Sequence, residues 1–344
     1  MKSINDILTQ VKQALVICLF VLACACQATT FDTGPLYRGG GVAGDPFLLY
    51  KAEDLLHVGK PGPAGSEYAD FTLSAHYEQV IDINLAGKTW VPIGARVPVE
   101  IPFEGVYDGN NKKIKNLTIN APSDEYIGLF GFIDFGGIVR NIVLENAIIT
   151  GDANVAGVVG MIRSGTVENC YLTAGTVITS RSDVGGVVGQ NIGTVRNCYV
   201  AGRVICTIEH GGGVVGDNDG TVQNCYATGS VTGSTSGQFI GGVVGRQHSN
   251  ITRNCVALNS TVTGSTDVGR VAGGISGGSM SNNYARNDMS VSFSVIPSHT
   301  AKDGETINSG DYLDAGWWTN SSNWTVIWDI GIWNISNGRL PVLW

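Results

Sequence analysis

Gly157-Val-Val-Gly160 is followed by Gly165-Thr-Val-Glu-Asn169-Cys170-Tyr171, and the pair then recurs. Gly186-Val-Val-Gly189 leads to Gly193-Thr-Val-Arg-Asn197-Cys198-Tyr199, and Gly213-Val-Val-Gly216 leads to Gly220-Thr-Val-Gln-Asn224-Cys225-Tyr226. Gly242-Val-Val-Gly245 with Asn254-Cys255 is a fourth copy. Gly128-Leu-Phe-Gly131 with Asn141 precedes the set, and Val271-Ala-Gly273 with Asn282 closes it in degenerate form. The closing glycines fall at 131, 160, 189, 216, 245 and 273, a period of 27–29 residues. A column of asparagines runs Asn116, Asn141, Asn169, Asn197, Asn224, Asn254 and Asn282.

Each copy holds short Val/Ile/Thr-rich runs punctuated by Gly and Asn, which read as strands. No segment carries a sustained helical period with caps. A unit this small cannot bury its own apolar face, but stacked copies can. The predicted fold is therefore all-β, a single parallel β-solenoid with a cap at each end. At roughly 4.8 Å per rung, seven rungs would build a core about 30 Å long.

The columns give side-chain direction. The position after each Asn is Leu117, Ile142, Cys170, Cys198, Cys225, Cys255 and Asn283. A free Cys behaves as a small hydrophobe, and here it alternates with Leu and Ile, so this column points inward. The position two before the Asn is usually apolar too: Ile114, Val139, Val167, Val195, Val222 and Met280. Two inward residues three apart violate strand alternation, so the chain must bend at the Asn, a residue that tolerates unusual backbone angles. Stacked Asn amides can also bond from rung to rung. Arg140, Glu168, Arg196, Gln223 and Arg253 precede the Asn and form an outward column. Core thiols are the favoured state of the four-Cys file. Disulfides between rungs are the alternative, and a straight file cannot make a tetrahedral metal site. Cys206 stands outside the file without an assigned role.

The chain has 344 residues, a net charge of −8, 43% hydrophobic residues, only 15% charged residues and 48 glycines. Low charge with this apolar content excludes disorder, and the acidic balance argues against nucleic acid as a partner. Residues 1–28 read as a signal peptide: Lys2 and Lys12, then the twelve-residue apolar run Ala14–Ala25, too short to span a bilayer. Val21-Leu-Ala-Cys24 resembles a bacterial lipobox, which would make Cys24 a lipidated first residue; ordinary cleavage near Ala25 or Ala28 is the other reading. The remaining boundaries are a linker at 29–44, an N-terminal cap and first rungs at 45–125, the repeat solenoid at 126–296 and a Trp-rich C-terminal cap at 297–344.

Gly128-Leu-Phe-Gly131, the Gly-Val-Val-Gly copies and the Asn-Cys-Tyr-x-x-Gly tails resemble the GLUG-motif family of bacterial exported and surface repeat proteins. Asp45-Pro-Phe-Leu-Leu, Trp90-Val-Pro-Ile-Gly94, Phe103-Glu-Gly-Val-Tyr-Asp108-Gly-Asn110 and the closing Trp333-Asn-Ile-Ser-Asn-Gly338 extend the resemblance over roughly 45–344. It implies a β-solenoid on surface proteins, including segments attached to immunoglobulin-cleaving metallopeptidases. The chain lacks His-Glu-x-x-His, so no peptidase activity carries over.

Candidate chemistry is sparse. Gly211-Gly-Gly213-Val-Val-Gly216 matches a nucleotide fingerprint but leads into another strand rather than a helix. Asp217-Asn-Asp219-Gly220 reads as a solvated turn, because neighbouring copies lack the oxygens a calcium loop needs. Asp152, Asp183, Asp217, Asp219 and Asp267 present no evident acid–base pair, and Glu209 and His210 are expected on opposite faces of a strand. No catalytic, metal or cofactor residues are assigned. Six of seven Trp lie between Trp317 and Trp344. Of these, Trp317, Trp318, Trp324 and Trp328 could stack on sugar rings, although shielding of the last rung is the favoured role.

The expected function is a non-catalytic exported surface protein, adhesin-like or ligand-binding, at the cell surface or outer membrane. A host protein or a glycan is the expected partner, with membrane attachment through acylated Cys24 and a monomeric state. A carbohydrate-active β-helix enzyme (polysaccharide lyase or glycoside hydrolase) and a purely structural envelope lipoprotein are the alternatives. If Cys24 is acylated, cells fed labelled palmitate will label the wild-type chain and not Cys24→Ser; equal incorporation in both would remove the anchor.

Overall fold

The computed structural model describes residues 38–96 and 98–344. The signal-peptide and Cys24 readings lie outside them. The described chain is a parallel β-solenoid with four stacked sheets along its sides. The first sheet has nine strands, from Phe47–Leu49 through Gly165–Glu168, Thr194–Arg196 and Thr221–Gln223 to Ser279–Ser281. The second also has nine, from Ile83–Asn84 through Tyr171–Leu172, Tyr199–Val200 and Tyr226–Ala227 to Glu305–Ile307. A ten-stranded sheet holds the long strands Val177–Gly185 and Arg203–Gly212, and a six-stranded sheet runs from Phe130–Ile133 to Ala272–Ile275. Among the described residues the helices are short: Ala52–His57, Ser309–Tyr312 and Ala315–Thr319.

The register is set by the sequence columns. Val167 pairs with Val195 and Val195 with Val222. Tyr171 pairs with Tyr199 and Tyr199 with Tyr226. Cys170, Cys198, Cys225 and Cys255, one residue before the strands of the second sheet, are therefore stacked, and all four are fully buried free thiols. Leu117 and Ile142 continue the same interior file. Each thiol in the file reaches the carbonyl two residues back, as Cys225 does to Gln223 at 3.2 Å, so burial leaves no sulfur without a contact. Burial pushes the Cys170 and Cys225 thiols above their usual range and Cys206 up to about 12, so these groups are protonated. Cys206 packs inside the long strand Arg203–Gly212 with its sulfur 3.1 Å from the Glu209 carbonyl. Asn283 ends the file as a buried amide that accepts from the Cys255 N–H at 3.0 Å and donates to the Thr252 carbonyl at 2.9 Å.

The bend falls on the asparagines. Asn116, Asn141, Asn169, Asn197, Asn224, Asn254 and Asn282 all have positive φ, between 49° and 57°. This left-handed turn brings the residues on both sides inward. Asn169 donates to Asn141 Oδ1 at 3.0 Å and Asn254 to Asn224 Oδ1 at 3.3 Å, so the amides bond between rungs. A second amide file lies in the interior: Asn191 donates to Asn218 at 2.7 Å, and Asn218 to Gln247 at 2.9 Å. Thr252 completes it by donating to Gln247 at 2.6 Å.

A second left-handed column, Tyr126, Asn154, Asp183, His210, Phe239 and Asp267, lies beside the closing glycines. A Cβ on Gly216 would sit 2.6 Å from the Asp183 carbonyl carbon and the Val184 nitrogen of the preceding rung. Backbone cannot retreat as a flexible side chain can, which is why glycine recurs there.

The two ends are closed by different devices, and only the place of the tryptophans departs from the sequence expectation. The N-terminal end is closed by the helix Ala52–His57, with Leu55 buried, and by the cluster Phe47, Phe71 and Tyr77, in which Phe47 and Phe71 stack at 4.6 Å. The Trp-rich segment does not cover the last rung. Residues 290–307 do that: the Lys302 carbonyl accepts from Val271 and Ala272 N–H at 3.0 and 2.8 Å, and Arg270 is held by the Asp303 and Gly304 carbonyls. The tryptophans lie along the flank of the second sheet, where the tyrosine column offers them a longer apolar surface than one terminal rung does.

Gly216→Ala is expected to cost about 3 kcal/mol, the upper range for overpacking, whereas Cys225→Ala is expected to cost only about 1–2 kcal/mol for a small cavity. Thermal and urea melts of the two variants check the order; equal losses would remove the backbone-approach argument.

Candidate functional site

The flank of the second sheet is built from Tyr171, Tyr199 and Tyr226. Their rings stack at centroid distances of 4.7 and 4.1 Å with interplanar angles of 7° and 14°. In-register pairing fixes this spacing, since identical residues on neighbouring parallel strands lie one rung apart. Tyr171 and Tyr199 are half-buried, and Tyr226 is fully buried.

The C-terminal segment runs back along this flank. Trp324 and Trp317 meet the Tyr284 ring edge-on, each at 5.0 Å. Thr325 Oγ1 donates to Asn254 Oδ1 at 2.9 Å, and Asn254 Nδ2 to the Val326 carbonyl at 3.1 Å. Trp318, Trp328 and Trp333 surround Tyr226 at 5.9, 6.0 and 5.7 Å, and the Tyr226 hydroxyl donates to the Pro341 carbonyl. The hairpin Trp333–Asn334 with Val342–Leu343 ends beside Tyr171.

This places each of the aromatic candidates. Trp318, Trp324 and Trp328 are at most 3% exposed and serve as packing rings, so they offer no face to a sugar. Trp317 is half-buried against Tyr284 and Trp324. The accessible aromatic surface lies elsewhere. A cleft of about 230 Å³ is lined by Asn111, Val143, Tyr171, Tyr199, Leu343 and Trp344. It adjoins a smaller hollow of about 100 Å³ where Asn111, Asn141 and Asn169 face Gly331 and Trp344. Trp344 is 62% exposed. The cleft thus combines aromatic edges with a line of side-chain amides. A larger hollow of about 520 Å³ near the first rungs is lined by Arg96, Tyr126, Asp124 and Glu125, with Arg96 donating to the Tyr126 hydroxyl at 2.6 Å.

The asparagine file carries part of this site. Asn141 and Asn169 line it, whereas Asn224, Asn254 and Asn282 are engaged with residues 325–327. The cysteine file stays in the interior. Tyr171 and Tyr199 were visible in the Asn-Cys-Tyr motif but were not assigned a role, because nothing local distinguishes a stacked surface ring from a buried one.

A polar cluster on another face also escaped the sequence reading. Counting six residues back from each closing glycine aligns Asp183 with His210, and counting one forward aligns Asp217 with Arg246. The structure brings these four together. His210 Nδ1 lies 2.6 Å from Asp183 Oδ1, and Arg246 grips both Asp217 oxygens at 2.9 and 2.7 Å. Asp152 pairs with Arg181 and Asp219 with His248, both at 2.8 Å; Asp267 is exposed. His210 adopts φ 60°, so the strand alternation that separates it from Glu209 does not apply, and Glu209 Oε2 lies 3.8 Å from His210 Nε2.

Comparison with known proteins gives three kinds of similarity. The GLUG motif matches residues 180–205 and 209–232. The chain is 32% identical over 151 residues to halomucin of Haloquadratum walsbyi, covering 41% of this chain and 2% of that protein. It is 30% identical over 165 residues to a protein of Evansella cellulosilytica provisionally named a Gly-rich membrane protein, covering 45% of this chain and 18% of the other. The chain therefore spans a small part of the length of these relatives. In fold, it matches the crystal structure of a provisionally assigned immunoglobulin A1 protease from Bacteroides ovatus, with a TM-score of 0.65, 18% identity, and coverage of 89% of this chain and 94% of that one.

Trp328→Ala is expected to detach the C-terminal segment without unfolding the solenoid. Limited thermolysin digestion should then remove residues beyond about 308 while circular dichroism keeps its β signature, as expected of a locally opening unit. Cooperative loss of the whole rod would contradict this.

Proposed function

We propose that the chain is a non-catalytic surface protein of a bacterium, exported and adhesin-like, whose solenoid displays a glycan-binding cleft on its tyrosine flank. One observation carries the reading: half-buried Tyr171 and Tyr199, Asn111 and the exposed Trp344 line a cleft, and Asn111 and Trp344 also line an adjoining hollow that holds Asn141 and Asn169. The exposed Trp344 ring gives a sugar an apolar surface with the tyrosine edges beside it, while amides supply both donors and acceptors to hydroxyls. The GLUG motif, and relatives whose names point to a mucin-like protein and a membrane protein, support a place at the cell surface. Attachment through acylated Cys24 and a monomeric state belong to the same proposal. Among the described residues no helix is long and apolar enough to cross a membrane.

A glycan array with the intact chain, repeated with Tyr171→Ala and Trp344→Ala, tests the reading. Binding that falls at least tenfold in both variants, consistent with about 1.4 kcal/mol lost per contact, supports it. Binding to matrix proteins alone would shift the partner to protein. Binding to nothing would favour a structural envelope role, and release of reducing ends or unsaturated sugars would overturn the non-catalytic assignment.

A further inference from the structure

The cluster at Asp183, His210 and Asp217 bonds between neighbouring rungs and is more buried than a surface ion pair. The His210 and Asp217 side chains are 6% and 3% exposed; those of Asp183 and Arg246 are 21% and 27% exposed. One ligand atom from each of Asp183, His210 and Asp217 falls within 4.8 Å of the others. The imidazole is half satisfied. Nδ1 faces Asp183, while Nε2 is buried without a hydrogen-bond partner, and Glu209 Oε2 stands 3.8 Å from it. A buried orphan nitrogen is costly and rare unless something completes it. The charges also favour a cation: Asp183, Asp217 and Glu209 surround the ring, and Arg246, bonded to Asp217, is the positive group paired there.

We propose that Asp183, His210 and Asp217 form a divalent transition-metal site, with Zn²⁺ the best-matched ion and the Arg246 guanidinium its internal competitor. Mixed imidazole and carboxylate donors suit Zn²⁺. Ligands about 2.1 Å from one tetrahedral ion stand roughly 3.4 Å apart, so the 2.6 Å Asp183–His210 contact opens as the ion enters while Asp217, within 4.8 Å of both, closes in. Two ligands come from adjacent rungs at the left-handed column and the third from the position after a closing glycine, so stacking preorganises them. Arg246 leaves Asp217 as the ion enters; its partly exposed side chain has solvent to move into. With Nδ1 on the ion beside Asp183, the ring carries its proton on Nε2, where Glu209 Oε2 at 3.8 Å is placed to accept it as a supporting group rather than a ligand. The metal would join two rungs through residues that line no part of the tyrosine cleft, so the proposal stands independently of the glycan reading.

Calorimetric titration of the full chain with Zn²⁺, in a chelator-stripped buffer, tests this. One equivalent is expected to bind, with affinity reduced about 10–100-fold in His210→Ala and Asp183→Asn, the range for disturbing a metal ligand or its immediate support. Arg246→Gln should bind several-fold more tightly than wild type, an effect no loss of folding could mimic. Co²⁺ substitution should give weak visible d–d bands without an intense near-ultraviolet thiolate band. Absence of stoichiometric binding, unchanged affinity in the His210 and Asp183 variants, weaker binding in Arg246→Gln, or a thiolate band pointing to the cysteine file would each overturn the proposal.

Discussion

Everything in this rod depends on how closely one backbone can approach the next. At the closing glycines, the chain of one rung runs against the left-handed residues of the preceding rung with no room for a methyl group. That approach fixes the spacing and locks the register. Once the register is locked, each position in the repeat becomes a file of equivalent side chains. Files of Val, Ile and Cys fill the interior, where each buried aliphatic side chain contributes about 1.5–3 kcal/mol by leaving water. Files of amides satisfy what polar groups remain inside.

The repeat made the solenoid legible because its signals were one residue wide and recurred in register: the Asn bend, the inward positions on either side, and the closing glycine. Seven asparagines with positive φ follow directly from the need to turn two inward residues three positions apart. The C-terminal segment was harder to read. Its tryptophans announced burial but not the surface they would bury against, because that choice depends on the tyrosine flank assembled from distant rungs. The Asp183–His210 pair was hidden for a related reason. The two residues are 27 apart, and only alignment to the glycine, rather than to the nearest acidic residue, makes them neighbours. Strand alternation also misplaced His210 relative to Glu209, because the ladder bends at that residue.

The two polar regions illustrate how one scaffold supports different chemistry. The tyrosine flank repeats the same ring on successive rungs, giving one kind of contact along its length, most of it taken up by the C-terminal tryptophans. The opposite logic holds at Asp183, His210, Asp217 and Arg246. There the repeat is broken at each rung, so unlike groups meet at one point. Repetition suits recognition of an extended partner, and broken repetition suits a single small ion.

The path of the last thirty residues has a mechanical corollary. Trp324 contacts the rung of Tyr284, Thr325 that of Asn254, and Trp328 that of Tyr226, while Trp344 lies beside Tyr171. The segment therefore runs lengthwise across the stack as a tie-rod. A tensile load along the axis cannot peel the rungs off one at a time until this strap has been stripped from them.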